Sequence, residues 1–192
     1  TWVLEGRPED HPWQREAAAG PVLVGELAPR PERIVNLEDV AHREHESATV
    51  GRRARDLGRA AGSERTGLNL YDVSAGKLMN PPHSHSAEEE IFVVLEGSGT
   101  VEVWPHPRAA TDTRWPRDTE RHAIEAGHTI ACPAGRGRPI ALRAGEDGMR
   151  VLAYGTREPN DITYYPRSGK VSLRGVGVIG RLELLDYWDG ER

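Results

Sequence analysis

A chain of 192 residues with a net charge of −5 and one cysteine, Cys132, is sized for a single domain with additional arms and holds no internal disulfide framework. No cluster of Lys and Arg stands above the background, so nucleic acid has no electrostatic footprint here, and no apolar stretch approaches the roughly 18 residues of a membrane span. The lone thiol suits a reducing compartment, and the expectation is a cytoplasmic protein.

The 21 glycines and 14 prolines are spread along the chain, which suits many short strands joined by turns. Residues 1–47 read as an N-terminal arm, with strand-like pieces at Val22-Leu23-Val24 and Ile34-Val35-Asn36-Leu37. From about 48 to 64 the chain is basic, polar and broken by glycine, and reads as a loop or one turn of helix. Leu68–Val73 has strand character and is closed by a turn over Ser74–Lys77. Ile91–Leu95 is a short apolar run suited to a strand buried on both faces; Glu96-Gly97-Ser98-Gly99 then reads as a turn and Thr100–Trp104 as a hairpin partner. Residues 105–120, with three prolines and many charges, read as a long loop. Strand signals return at His122–Ile124, Thr129–Cys132, Ile140–Leu142 and Met149–Tyr154, separated by glycine-containing turns. Residues 157–192 read as a C-terminal arm with further strands at Thr163–Tyr165 and Val171–Leu173. This spacing predicts an all-β antiparallel sandwich or barrel over 48–156.

The sharpest chemical signal is His83-Ser84-His85. On an extended chain residues two apart project to the same face, so both imidazoles converge on one point. A bend over Ser86-Ala87-Glu88 returns the chain to an acid that opens the apolar strand. The interval to Gly97 favours Glu90 for that acid, with Glu89 the alternate. Two neutral imidazoles and a carboxylate suit one divalent transition metal: Fe, Mn, Ni, Zn or Co.

The pattern His83-x-His85-x4-Glu90-x6-Gly97 resembles the first motif of the cupin superfamily, and Gly127-x5-Pro133-x-Gly135 resembles the start of the second. The resemblance covers about 66–156. The wider chain, including Tyr154–Asp161 and Tyr164-Tyr165-Pro166, is similar to a bacterial subfamily of cupin-domain proteins without an assigned activity. It implies a double-stranded β-helix (a jelly-roll barrel), often a homodimer, with a metal at the bottom of the barrel. In the second motif a histidine normally supplies a fourth ligand. That position here is Arg138 or, with a longer turn, Ile140, and neither side chain ligates a cation. The expected site therefore has three ligands, or has weak or absent metal.

Arg138 is a candidate for holding a substrate carboxylate or phosphate at the barrel mouth. His122 and His128 are candidates for the missing ligand, but surface histidines beside a turn at Gly127 are the simpler account. Cys132, among apolar neighbours, reads as an inert thiol. Tyr164-Tyr165-Pro166 reads as packing an arm on the barrel, and Trp188 as anchoring the tail. Two functions follow: a mononuclear metalloenzyme acting on a small organic acid or sugar-like molecule (dioxygenase, isomerase, decarboxylase or lyase chemistry), or a non-catalytic small-molecule binding or sensing module with a degenerate metal site. A purely structural dimerisation unit leaves the motif residues without a use. The arms carry apolar pieces too small for a core of their own, and a homodimer with an arm crossing to the partner is expected.

Overall fold

The computed structural model describes residues 11–21, 24–107, 117–185 and 187–191. Val22 and Leu23 of the first expected strand piece, and residues 108–116 of the expected loop, lie outside the described residues. Residues 1–31 and 32–192 are two compact units. In the first, helix α1 (Pro12–Ala18) has proline in its opening turn and is capped by His11, whose Nδ1 accepts the Trp13 N–H at 3.2 Å; it buries no residue.

The second unit contains strands β1 (Arg43–Glu46), β2 (Gly51–Asp56), β3 (Thr66–Val73), β4 (Ser84–His85), β5 (Glu90–Val103), β6 (Glu120–Glu125), β7 (Thr129–Cys132), β8 (Ile140–Thr156), β9 (Ile162–Tyr165), β10 (Lys170–Leu173) and β11 (Val178–Arg181), with a one-turn helix α2 (Leu57–Ala60) after β2. A seven-stranded sheet runs β1-β2-β3-β8-β5-β6, with β7 also on β5, and a four-stranded sheet runs β11-β10-β9-β4. Every ladder between these strands is antiparallel. The architecture is the all-β antiparallel one expected.

Several local expectations are corrected. Ile34–Leu37 is not a strand; a 3-10 turn over Leu37–Asp39 begins there, with the Asn36 side chain accepting the Glu38 N–H. The basic stretch after 48 is a paired strand, β2, before it becomes the one-turn helix. Its alternating arginines fit a strand because Arg53 and Arg55, two apart, both reach Asp72 on β3, at 4.0 and 3.4 Å.

The largest correction concerns Glu96-Gly97-Ser98-Gly99. It is not a turn but the irregular middle of one long strand, and Ile140–Leu142 and Met149–Tyr154 are likewise two halves of β8. The two strands pair from Glu90↔Gly155 to Val103↔Ile140, with register shifts between Val94/Glu96 and Gly97/Gly99. Thr100–Val103 therefore pairs with β6 and β8, not back onto Ile91–Leu95. Glycines that read as a turn here mark a bulge and a close crossing. Gly97 has φ +77, and a Cβ on it would meet the Gly148 carbonyl oxygen; a Cβ on Gly99 would meet the Arg143 carbonyl oxygen.

Inward-facing residues of this bent pair make the core: Phe92, Val94 and Val101 from β5, Leu142, Met149, Val151 and Ala153 from β8, with Met79 and Ile124 against them. Side chains of this kind contribute about 1.5–3 kcal/mol each when fully buried. The core thus sits on the same two strands whose end carries Glu90. Gly97→Ala should lower stability by about 2–3 kcal/mol and the melting temperature by about 5–10 °C, since it adds left-handed strain to a backbone clash. A circular-dichroism melt unchanged from wild type would overturn the account of this bulge.

Candidate metal centre

Pro81 and Pro82 hold the approach to β4 extended, so His83 and His85 present their rings to one side. The rings meet edge to face, with centroids 5.0 Å apart and planes at 82°. The chain then bends at Ser86 and Ala87, and Glu90 returns on β5. Its Oε2 lies 3.6 Å from Nε2 of His83 and 3.6 Å from Nε2 of His85. The structure therefore brings together the three residues expected from the sequence. Glu89, the alternate, is exposed on the other side.

What orients the imidazoles is the other nitrogen of each. His83 Nδ1 lies 2.8 Å from the Pro81 carbonyl oxygen, so it carries the proton. His85 Nδ1 lies 2.7 Å from Oδ2 of Asp161, whose side chain is wholly buried. With both Nδ1 atoms donating, both Nε2 atoms offer lone pairs toward Glu90, the arrangement that ligating histidines adopt. Ligand atoms on a tetrahedral ion with bonds of about 2.0–2.1 Å are separated by about 3.3 Å, so the two 3.6 Å separations need to close by only a few tenths of an ångström to hold one. The donor set fits a divalent transition metal.

Asp161 escaped the sequence reading. It stands 76 residues from His85, and no local pattern selects it among the acids. Besides His85 it accepts N–H bonds from Ala87 at 2.9 Å and Glu88 at 3.2 Å, and hydroxyl bonds from Thr163 at 3.1 Å and Ser86 at 3.3 Å. Burial opposes its charge, but His85 and the two backbone donors outweigh that and pull its carboxyl down to about 2. Glu88 is also buried beside His85, with Oε2 3.4 Å from Nδ1, and is forked by Arg174, whose Nη2 donates at 2.7 Å. Burial raises the Glu88 pKa despite Arg174. At the triad, burial resists charge on both partners, yet the Glu90 carboxylate lifts His83 above its ordinary value and His83 with His85 draws Glu90 below its own.

Two cavities meet at the triad. One, about 400 Å3, has a largely apolar wall that includes Val101, Val103, Ile130, Cys132 and Ile140. The other, about 920 Å3, has the more polar wall and is lined by Tyr71 and Tyr165 beside the triad. Arg138 lines the smaller cavity with its Nη2 held by Glu120 Oε1 at 2.8 Å. Ile140 exchanges both backbone hydrogen bonds with His83, N to O at 2.9 and 3.1 Å. Residues opposed in this way project to the same face, so Ile140 stands beside His83 where a fourth ligand would be. His122 is exposed near Glu120 on β6, and His128 Nδ1 accepts the Glu125 N–H at 2.9 Å; neither reaches the triad. Burial and then Glu90 push the Cys132 thiol up to about 12, which keeps it protonated. Tyr165 stacks on His83, centroids 5.8 Å apart and planes at 25°, and so belongs to the site besides packing the chain after 156. Trp188 is 68% exposed, with its ring edge-on to Tyr187, which does not fit an anchor. Gly135, in left-handed conformation at φ +71, donates its N–H to the His85 carbonyl at 3.0 Å, so the second glycine-proline segment supports the first.

Asp161→Asn should weaken divalent-metal affinity about 10- to 100-fold by freeing the His85 ring, measured by calorimetric titration with Mn2+. The Asp161 carboxyl sits at about 2 when folded against an ordinary 3.8, so its stabilisation is complete above the ordinary value and is lost as pH falls through about 2. The variant should lose that part of the acid limb, and an acid-unfolding curve identical to wild type would refute the assignment.

No curated protein sequence matches this chain. Among solved structures, one from Acidithiobacillus ferrooxidans described as a candidate sugar phosphate isomerase aligns with a TM-score of 0.63 at 21% identity, covering 81% of this chain and 97% of the other. A second, a sugar phosphate isomerase of the cupin superfamily from Silicibacter pomeroyi, aligns with a TM-score of 0.61 at 22% identity, covering 77% and 92%. These likenesses are of fold. The family model for cupins matches residues 63–175, a span that takes in both motifs, the triad and Asp161, and on that match the chain belongs to the cupin family.

Proposed function

We propose that His83, His85 and Glu90 hold one divalent transition metal ion and that the protein is an enzyme acting on a small organic acid or sugar-like molecule bound in the adjoining cavities. The observation that carries this reading is the geometry of the two rings: both Nδ1 atoms are hydrogen-bonded away from the triad, to Pro81 and Asp161, and both Nε2 atoms lie 3.6 Å from one Glu90 oxygen. An ion bound there supplies Lewis-acid polarisation of a substrate oxygen and keeps coordination positions open. Tyr71 and Tyr165 flank the polar cavity; burial raises both phenols, so they stay protonated as hydrogen-bond donors to a bound ligand. Ile140 forms part of the apolar wall beside His83. Sugar isomerisation is the first reaction to assay, since both aligned structures carry that description.

A second reading, a binding or sensing module with weak metal, is favoured by one observation, Ile140 standing beside His83 in place of a fourth donor. Metal content separates the two. The purified protein should carry close to one transition-metal ion per chain by elemental analysis, and His83→Ala should abolish it. Ile140→His should tighten metal binding by about tenfold or more, while Arg138→His, at a position held by Glu120, should not. Stoichiometric absence of metal after growth and dialysis in Mn2+, Fe2+ or Zn2+ would leave the binding-module reading.

We further propose a homodimer built on β11, the edge of the four-stranded sheet, and the chain beyond it. Val178 and Ile179 on that edge are 49% and 66% exposed, and Leu184 and Leu185 lie just beyond. An apolar edge of this kind is normally covered. Light scattering should give twice the chain mass, and Ile179→Lys should shift it to one.

A further inference from the structure

The larger cavity carries five basic side chains, and their partners divide them sharply. Arg157 and Arg59 share Asp56, at 3.1 and 3.8 Å, and Arg174 forks Glu88. Arg52 and Lys170 form no ion pair with a carboxylate among the described residues. Each is instead held against an aromatic ring. The Arg52 guanidinium sits 4.9 Å from the centroid of Tyr71 and donates Nη1 to Asn80 Oδ1. The Lys170 ammonium sits 5.4 Å from the centroid of Tyr165, the ring stacked on His83. Lys170 therefore stands one aromatic residue from the triad, and Arg52 lines the same cavity beside Tyr71, the two on different strands, β10 and β2, of different sheets.

Two half-buried cations without a paired carboxylate face one cavity, whose remaining carboxylate, Glu90, is taken up with His83 and His85, and their field favours an anion. A guanidinium presents a planar fork to two oxygens, while an ammonium is a point charge with rotatable donors. A monocarboxylate fills the fork and leaves the ammonium without a partner. A phosphate dianion has the charge and the oxygens for both. We infer that Arg52 and Lys170 form a subsite for a phosphate dianion, the charged end of a small molecule whose other end reaches His83, His85 and Glu90. The inference rests on the proposed role of that triad for the reach of the ligand, but the anion contacts themselves need no metal. Arg138, neutralised by Glu120 in the other cavity, has no part in it.

The test is calorimetric titration of the full chain with inorganic phosphate at low ionic strength, once after chelator treatment and once loaded with Mn2+. Phosphate should bind one per chain in both forms, and acetate at least about tenfold more weakly. Arg52→Gln and Lys170→Gln should each weaken phosphate about 10- to 100-fold, the loss of one charge-assisted contact. Arg59→Gln, which removes the same charge from the same cavity but from a solvent-exposed pair, should change it by no more than about twofold. Lys170→Arg should keep binding, and Mn2+ stoichiometry and melting temperature should be those of wild type throughout. Equal losses in Arg59→Gln and Arg52→Gln, acetate binding as tightly as phosphate, or no phosphate binding would overturn the subsite. Should Mn2+ bind one per chain while phosphate ignores Arg52 and Lys170, the subsite alone fails. Should phosphate follow those residues in a protein that takes up no Mn2+, the metal centre alone fails.

Discussion

The carboxylate of Asp161 is the constraint on which the site depends. A wholly buried carboxylate is costly unless several donors meet it, and this one is met from three directions. His85 donates from β4, the Ala87 and Glu88 amides donate from the bend that follows, and Thr163 donates from β9. The same group therefore sets the tautomer of one imidazole and shapes the bend that returns the chain to Glu90. Loss of the carboxylate leaves the Ala87 and Glu88 amides without this acceptor and one ring without an orientation. The chain after 156 is thereby part of the site, since β9 pairs with β4 directly, Ser84 against Tyr164 and His85 against Thr163.

The second mechanical element is the bent pair of β5 and β8. Its bulges at Gly97 and Gly99 allow two long strands to cross closely, so that one end packs Phe92, Val151 and Ala153 while the other presents Val103 opposite Ile140. Glu90 lies at the packed end, pinned between Cys132 on one side and Gly155 on the other. A side chain rooted in a core of this kind loses little further entropy when it is held in place, which is the preorganisation a metal ligand requires. Packing and site are consequences of the same register, because a slip of one residue would turn Glu90 away from the histidines.

Much of this was legible in the residues, and the division between what was and was not follows from distance along the chain. His83, His85 and Glu90 are near neighbours whose relative placement follows from the two-residue repeat of an extended chain and one bend. The strand character of Leu68–Val73 and Thr129–Cys132 is likewise local. Asp161 was not legible because it meets His85 only through strand pairing, and Arg52 and Lys170 face one cavity only because two sheets are brought together. Gly97 and Gly99 misled for a different reason: glycine in a tight turn and glycine at a close strand crossing answer the same steric need, and nothing local tells them apart. The choice between Arg138 and Ile140 stayed open until the His83–Ile140 hydrogen bonds assigned the face.

The distribution of charge around the triad also accounts for the isoleucine. On the apolar side the wall beside the triad includes Ile140, Val103 and Cys132, and Arg138 is paired with Glu120. On the polar side, Arg59 and Arg157 share Asp56 and Arg174 pairs with Glu88, whereas Arg52 and Lys170 form no such pair among the described residues. In the proposed reading a ligand places its anionic end toward Arg52 and Lys170 and the remainder toward the triad and the apolar wall. A histidine in place of Ile140 would add a donor to the ion but would also occupy a coordination position and make the apolar wall polar. In the proposed reading the missing ligand is therefore coupled to the polarity of the two cavities: the side that gives up a metal donor becomes the side that accepts the uncharged part of the substrate.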